Sequence, residues 1–334
     1  MNLTKKEIKL LHALAQNSRA SIKELSEKSG YSQESVQKKI EEFQTNTIIK
    51  SYSTIINIDS VFNLQEYLAY ITLNSATQQI IQELLTYLQS SKFTSWIGRG
   101  IGLYDIKISI YIQHLEQIQL FEQELYSQFP TLIQSIEWNQ IISKHKNSSN
   151  SIISKCLEEQ TLKENIKSVK KIPQNSQLHP LQIQILYELS DNSRISLQQL
   201  SQKLNTTIEN IHYHFKKLQK SNNIKQFSIT LDTSYFKQHA TILLLKIHSS
   251  NTQNIIEKLL TRKNITSIIH VIGQYNIQIT MLHNSMQTMF EEIASMQDEF
   301  SQDILQTQYF FIHSFYKYPK LPEIIFNLQQ SPPQ

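Results

Sequence analysis

Cysteine occurs once in 334 residues, at Cys156, which excludes a disulfide framework and a thiolate metal cluster and leaves a free thiol suited to a reducing compartment. No run of about 18 uninterrupted apolar residues occurs, so the composition holds no membrane-spanning helix. The N-terminus MNLTKKEIKLLHAL is patterned as an amphipathic helix rather than as a signal peptide, and a cytoplasmic location is expected. Eleven histidines are scattered without metal-ligand spacing, and no nucleophile–base motif accompanies them, so neither a metal, a cofactor nor a catalytic residue is nominated. Glycine is scarce too, five in all, and three of the five fall together at Gly98, Gly100 and Gly102.

The chain is written twice. Asn17-Ser18-Arg19 returns as Asn192-Ser193-Arg194, and the same offset carries Ile8, Leu11, Leu14, Leu25, Val36, Ile40, Phe43 and Ile49 onto Ile183, Leu186, Leu189, Leu200, Ile211, Phe215, Leu218 and Ile224. So long a period excludes a solenoid and means duplication of a whole unit. Charge follows the repeat. Residues 1–57 hold nine Lys/Arg against six Asp/Glu, and 178–229 hold six against three; the segments 58–143 and 230–334 hold three against eight and seven against eight. Each copy therefore has a basic head, suited to a polyanion, and a more acidic body.

In the first head, Thr4 and Glu7 form a capping box for a helix reaching Asn17, and Ser21 with Glu24 repeats the device for a helix ending near Ser29. Gly30-Tyr31 makes a turn, and Ser32 caps a third helix to about Asn46. Residues 48–56 are β-branched and read as a short hairpin or wing. The second head repeats this with helices from Pro180, from Ser196 and from Thr207, and a strand from Ile224; Asn205 replaces Gly30 in the turn, where it tolerates positive φ. Three short helices with a tight turn before the third read as helix-turn-helix. The candidate DNA-reading residues are Ser32, Gln33, Glu34, Ser35, Gln37, Lys38 and Lys39 in the first copy. In the second they are Thr207, Asn210, His212, Tyr213, His214 and Lys216. Gln can read adenine edges and Lys can meet phosphate or guanine, provided the helix enters a major groove of double-stranded DNA.

Each body reads βαββαβ: strands at 67–73, 93–97, 106–112 and 132–142 with helices at 77–88 and 114–127, then the same order over 240–313. That alternation makes a four-stranded antiparallel sheet with both helices on one face, and the second copy is the obvious cover for the other face. A glycine-rich loop is expected after Ile97. Its exposed N–H groups suit a carboxylate, but taken alone the loop is better read as a plain hairpin turn between the two central strands.

The run Ser21-x-x-Glu24-Leu25-Ser26, Gly30-Tyr31-Ser32-x-x-Ser35-Val36-x-x-Lys39-Ile40-x-x-Phe43, Ile48-Ile49-x-x-Tyr52, followed by a βαββαβ body with Gly102-Leu103-Tyr104-Asp105, resembles the Lrp/AsnC family of transcription regulators. The resemblance implies an α+β chain of two winged helix-turn-helix heads (1–58 and 177–233) and two ferredoxin-like bodies (64–143 and 238–318). A linker at 144–176, with one helix near 152–170, and a tail at 319–334 complete the reading, and the family's dimer is built into one polypeptide. It also implies an effector, often an amino acid, near Gly98, Arg99, Gly100, Gly102, Tyr104 and Asp105, with Gly273, Tyr275 and Asn276 as the second set. Lys39 and His214 stand where the family favours Arg, Thr47 and Asn222 where it favours Gly, and Asn276 where it favours Asp, so one effector site per chain is expected. Further homo-oligomerisation is compatible with the resemblance. Two other functions fit the same plan: an enzyme like the siroheme decarboxylases, which share this architecture, and a DNA-binding protein without sequence choice.

Overall fold

The computed structural model describes residues 3–147, 178–221, 223–232, 235–236, 238–262, 264–317 and 321–327. Residues 148–176 of the linker, with its expected helix and Cys156, Asn222, and residues 319–320 and 328–334 of the tail lie outside the described residues, while 144–147 of the expected linker belong to a strand. Contacts divide the chain into two units: both heads form one (1–63, 149–235 and 325–334), and both bodies form the other (64–148 and 236–324).

In the head unit, α1 (Lys5–Gln16), α2 (Ile22–Ser29) and α3 (Gln33–Thr45) each start on the side-chain cap read from the sequence: Thr4 with Glu7, then Ser21, then Ser32. Val36, Ile40 and Phe43 are the buried stripe of α3. The turn between α2 and α3 places Gly30 at φ +76°, and Asn205 takes the equivalent position at φ +51°. Thr47, where a glycine was expected, has φ +55°, a strained place for a β-branched residue. A short helix, α4 (Ile58–Phe62), follows in the first copy, and the second head repeats the triplet as α7 (Pro180–Asp191), α8 (Leu197–Lys203) and α9 (Ile208–Lys220).

The expected hairpin does not form within either copy. β1 (Ile49–Ile56) runs antiparallel to β6 (Ile224–Leu231) of the other copy, and these two strands are a sheet by themselves. Among the described residues each head supplies one strand, and its ladder groups find partners across the duplication. The helices cross over as well: the Ser18 N–H donates to Phe227 O at 3.1 Å, and the Ser193 N–H to Tyr52 O at 3.0 Å. The repeated Asn-Ser-Arg motif is the heart of this junction. Ser18 and Ser193, both fully buried, are hydrogen-bonded to each other. Arg19 Nη1 donates to Ser193 O at 2.6 Å and Ile195 O at 2.8 Å, its guanidinium 5.0 Å from the Phe215 ring centre. Arg194 Nη1 donates to Ser18 O at 2.8 Å above the Tyr52 ring.

Arg19→Ala strands the carbonyls of buried Ser193 and half-buried Ile195 and is expected to lower stability by about 3 kcal/mol, Arg194→Ala by less because one carbonyl partner is lost. Equilibrium denaturation of the full chain, followed by the fluorescence of its tyrosines and tryptophans, measures the difference; equal midpoints for both variants and the native chain would contradict it.

In the body unit, each copy forms its βαββαβ order. The first has β2 (Gln65–Leu73), α5 (Gln78–Ser90), β3 (Thr94–Gly102), β4 (Ile106–Ile112), α6 (Glu116–Gln128) and β5 (Ile133–Asn147). The second has β7 (His239–Ile247), α10 (Thr252–Leu260), β8 (Ile265–Ile272), β9 (Ile277–His283), α11 (Met286–Glu299) and β10 (Ile304–Lys317). Each sheet buries one face under its own helices, in cores built from residues such as Ile71, Leu84, Ile108 and Phe121 and, in the other copy, Leu245, Ile255, Ile279 and Met289. The sheets also meet along both edges, β3 with β10 and β5 with β8, which closes all eight strands into a barrel. Strands β5 and β10 outrun their expected ends at 142 and 313 because these cross-copy ladders continue to Asn147 and Lys317.

The candidate DNA-reading helices and the inter-sheet interior

Helix α3 sets Gln33, Glu34, Gln37, Lys38 and Glu41 outward, with Ser32 exposed at its cap and Ser35 and Lys39 half-buried on its flanks. Its lysines are already engaged. Lys38 Nζ lies 2.9 Å from Glu34, and Lys39 Nζ is 3.1 Å from Glu7 and 2.5 Å from Glu42. Hydrogen bonds from Lys39 to Glu42 and Glu7 raise its pKa, so its positive charge is locked into the head's own packing.

Helix α9 differs at the equivalent places. Thr207 Oγ accepts from the Asn210 N–H at 3.2 Å, and Asn210 Nδ2 donates to Thr206 Oγ at 3.0 Å, so Asn210 is partly used in capping. His212, Tyr213, Lys216, Lys217 and Lys220 are exposed. His214, nominated as a reader, is not: it is buried with its ring stacked 4.6 Å from His179. Burial, helped by His179 and Lys217, holds the His214 pKa below that of an ordinary histidine. The stripe Ile211, Phe215 and Leu218 turns His214 inward, at the position where Lys39 meets Glu7 in the first head.

The nominated effector residues occupy a different setting from the one the sequence suggested. Gly98, Arg99, Gly100 and Gly102 are within β3, not in a loop; the turn is confined to residues 103–105. A Cβ on Gly100 would sit 2.1 Å from Phe311 O, and one on Gly102, at φ +135°, 2.3 Å from Tyr309 O. These glycines let β10 approach β3 closely enough to seal the barrel. Asp105 Oδ2 accepts from the Leu73 N–H at 2.8 Å, and Asn276 Oδ1 from the Ile247 N–H at 2.9 Å, so both fasten the turn to the end of a neighbouring strand. Tyr104 and Tyr275 are buried, and the Tyr104 hydroxyl donates to Glu137. Arg99 donates to Gln78 at 3.1 Å. Of the set, Gly102 and Gly273 are exposed, and Arg99, Asp105 and Asn276 are half-buried, the last two already engaged in the turn bonds.

A constellation that the sequence reading missed lies between the sheets. Lys107, 4 % exposed, donates to Gln278 Oε1 at 3.3 Å and faces the rings of Tyr70 and Trp96 at 5.3 and 5.7 Å. Tyr70 also donates to Gln278 Oε1, at 2.7 Å, while Gln278 Nε2 has no partner. Burial, with Lys144 as a like charge, pushes the Lys107 pKa down to about 7 against the pull of Glu66. Burial alone would raise the Glu66 pKa, but Lys144, Ser109 and Tyr111 outweigh it and hold the carboxylate ionised. The signal was available: Lys107 alternates with Ile106 and Ile108 in β4, which assigns it to the face that the other copy covers.

Among the described residues, no group of three or more His, Cys, Asp or Glu could hold a metal ion, and no helix is long and apolar enough to cross a membrane.

Two segments of the chain, 3–49 and 178–225, match a family described as winged helix-turn-helix DNA-binding, one match per head. An uncharacterised HTH-type transcriptional regulator of Pyrococcus abyssi is 28 % identical over 99 residues, and one of Pyrococcus horikoshii 30 % over 99 residues. Each alignment takes in 28 % of this chain and 64 % of the relative. The crystal structure of the siroheme decarboxylase NirDL is similar in fold across 97 % of both chains, with a TM-score of 0.63 at 9 % identity. Each head, and not the bodies between and after them, thus carries its own match to the winged helix-turn-helix DNA-binding family.

Proposed function

We propose that this protein is a sequence-specific, DNA-binding transcription regulator whose two heads act as an internal dimer, and that it works in the cytoplasm. The observation that carries the reading is the head unit itself: two helix-turn-helix triplets joined through β1–β6, each with a third helix whose outward face is polar. Helices so placed can enter a major groove, with Gln33, Gln37, His212 and Tyr213 at base edges and Lys216 at phosphate. A small effector, an amino acid in the first instance, belongs to the same reading, with Arg99 and the edges at Gly102 and Gly273 as its accessible contacts. Further assembly of chains is compatible with it. Selection of bound duplex from a random pool, repeated with mixed amino acids, tests the proposal. A recurring sequence motif is expected, and equal retention of all duplexes, abolished by moderate salt, would instead indicate binding by counterion release alone.

A second reading, tetrapyrrole decarboxylation, is favoured only by the fold likeness to NirDL along the whole tandem chain. Incubation with an iron tetrapyrrole, followed by absorbance of the repurified protein, separates the two. A retained absorption band that decays with release of carbon dioxide would favour the enzyme.

A further inference from the structure

The two heads carry surpluses of positive charge of the same size, yet their reading helices do not. Gln33–Thr45 holds Lys38 and Lys39 against Glu34, Glu41 and Glu42; Ile208–Lys220 holds Lys216, Lys217 and Lys220 against Glu209. Along the outward stripe the first copy presents Glu34, Lys38, Glu41 and Thr45, and the second presents Glu209, Tyr213, Lys216 and Lys220 at the matching positions. Pairing widens the gap. Both lysines of α3 are bound to carboxylates of their own head, whereas Lys216, Lys217 and Lys220 form no ion pair among the described residues. Apolar contact differs too, since Tyr213 is 63 % exposed and Ile208 44 %, and α3 has no exposed counterpart.

We infer that DNA is gripped through one reading helix, α9, and that α3 does not hold a half-site of its own. The inference rests on the DNA-binding reading above and narrows it, withdrawing Gln33 and Gln37 from the base edges. Duplex DNA carries a dense line of negative charge, and a reader contributes affinity by releasing counterions with unpaired Lys or Arg. Helix α9 brings three such lysines to that line. Helix α3 would bring Glu34 and Glu41 to it, with Lys38 and Lys39 unable to move to phosphate without abandoning Glu34 or Glu7 and Glu42. A base-reading helix with no free phosphate anchor of its own contributes little to fixing register. The operator is therefore a single asymmetric half-site read by His212 and Tyr213, with Lys216 at phosphate.

Hydroxyl-radical footprinting of the full native chain on its selected duplex tests this directly. One protected patch is expected, with none centred about 10 base pairs away. K216E/K220E is expected to weaken binding at least about tenfold and to flatten the salt dependence by roughly two phosphate contacts. E41K/T45K, which gives the first stripe the charges of the second, is expected to add a second patch and tighten binding about tenfold. All four positions are exposed on helices, and far-ultraviolet circular dichroism checks that each variant is folded. Two equal patches with the native chain, or native affinity in K216E/K220E, would overturn the inference while leaving the DNA-binding reading intact. No protection on any duplex would overturn both.

Discussion

Gly100→Ala is expected to destabilise the body unit by about 3 kcal/mol or more, since overpacking that only backbone movement can relieve lies at the upper end for added methyl groups. The added carbon falls 2.1 Å from a backbone oxygen, Phe311 O, and 2.8 Å from the Phe310 ring. Neither can yield easily: Phe310 is fully buried in the cluster between the sheets, and Phe311 belongs to the β3–β10 ladder that closes the barrel. A useful contrast is Gly30→Ala. There the nearest neighbour is the flexible Lys6 side chain at 3.8 Å, so only the left-handed backbone is penalised, by about 1 kcal/mol. Denaturant midpoints of the full-length variants give the comparison; Gly100→Ala no more disruptive than Gly30→Ala would show that the seam can part without consequence.

That seam also shows where sequence reading stops. Much that local rules govern was legible: the caps at Thr4, Ser21 and Ser32, the helix starts at Ser196 and Thr207, the positive φ at Asn205, the buried stripes of α3 and α9, and the strand–helix order of both bodies; the short helix Ile58–Phe62 and the His179 cap were not. Features made by a partner far along the chain were not. Glycines at 98, 100 and 102 signal a loop when the strand is considered alone, and become strand residues only because β10 packs against them. Residues 48–56 signal a hairpin until β6, some 175 residues later, supplies the other strand. The reading site was legible as a helix face but not as a set of free charges. Spacing put Lys39 and His214 near DNA; Glu7 and His179, from the first helix of each triplet, draw them back.

Replacing Lys107 with methionine is expected to stabilise the protein at pH 7 by about 2 kcal/mol, the range seen when a buried charge gives way to an apolar side chain of similar size. The residue 171 positions later, by the offset that relates Tyr104 to Tyr275, is Gln278, and the two side chains meet between the sheets. In a pairing of identical copies, Lys107 would face a second Lys107, two ammonium groups out of reach of water. Fusion of the copies removes that requirement, and the glutamine carbonyl oxygen takes the place of the second charge. The remaining cost is desolvation of one ammonium, and it has a definite dependence on pH. Unfolded, the group titrates as an ordinary lysine; folded, its pKa is about 7. Between those values the unfolded chain holds a proton that the folded chain has released, so raising the pH favours folding, and the gain is lost as pH falls towards 7. Native stability should therefore climb between pH 7 and 9, before most surface lysines titrate, while that of Lys107→Met should stay nearly level. Denaturation curves for both proteins across that interval provide the measurement, and parallel pH profiles would mean that Lys107 keeps its proton in the folded barrel.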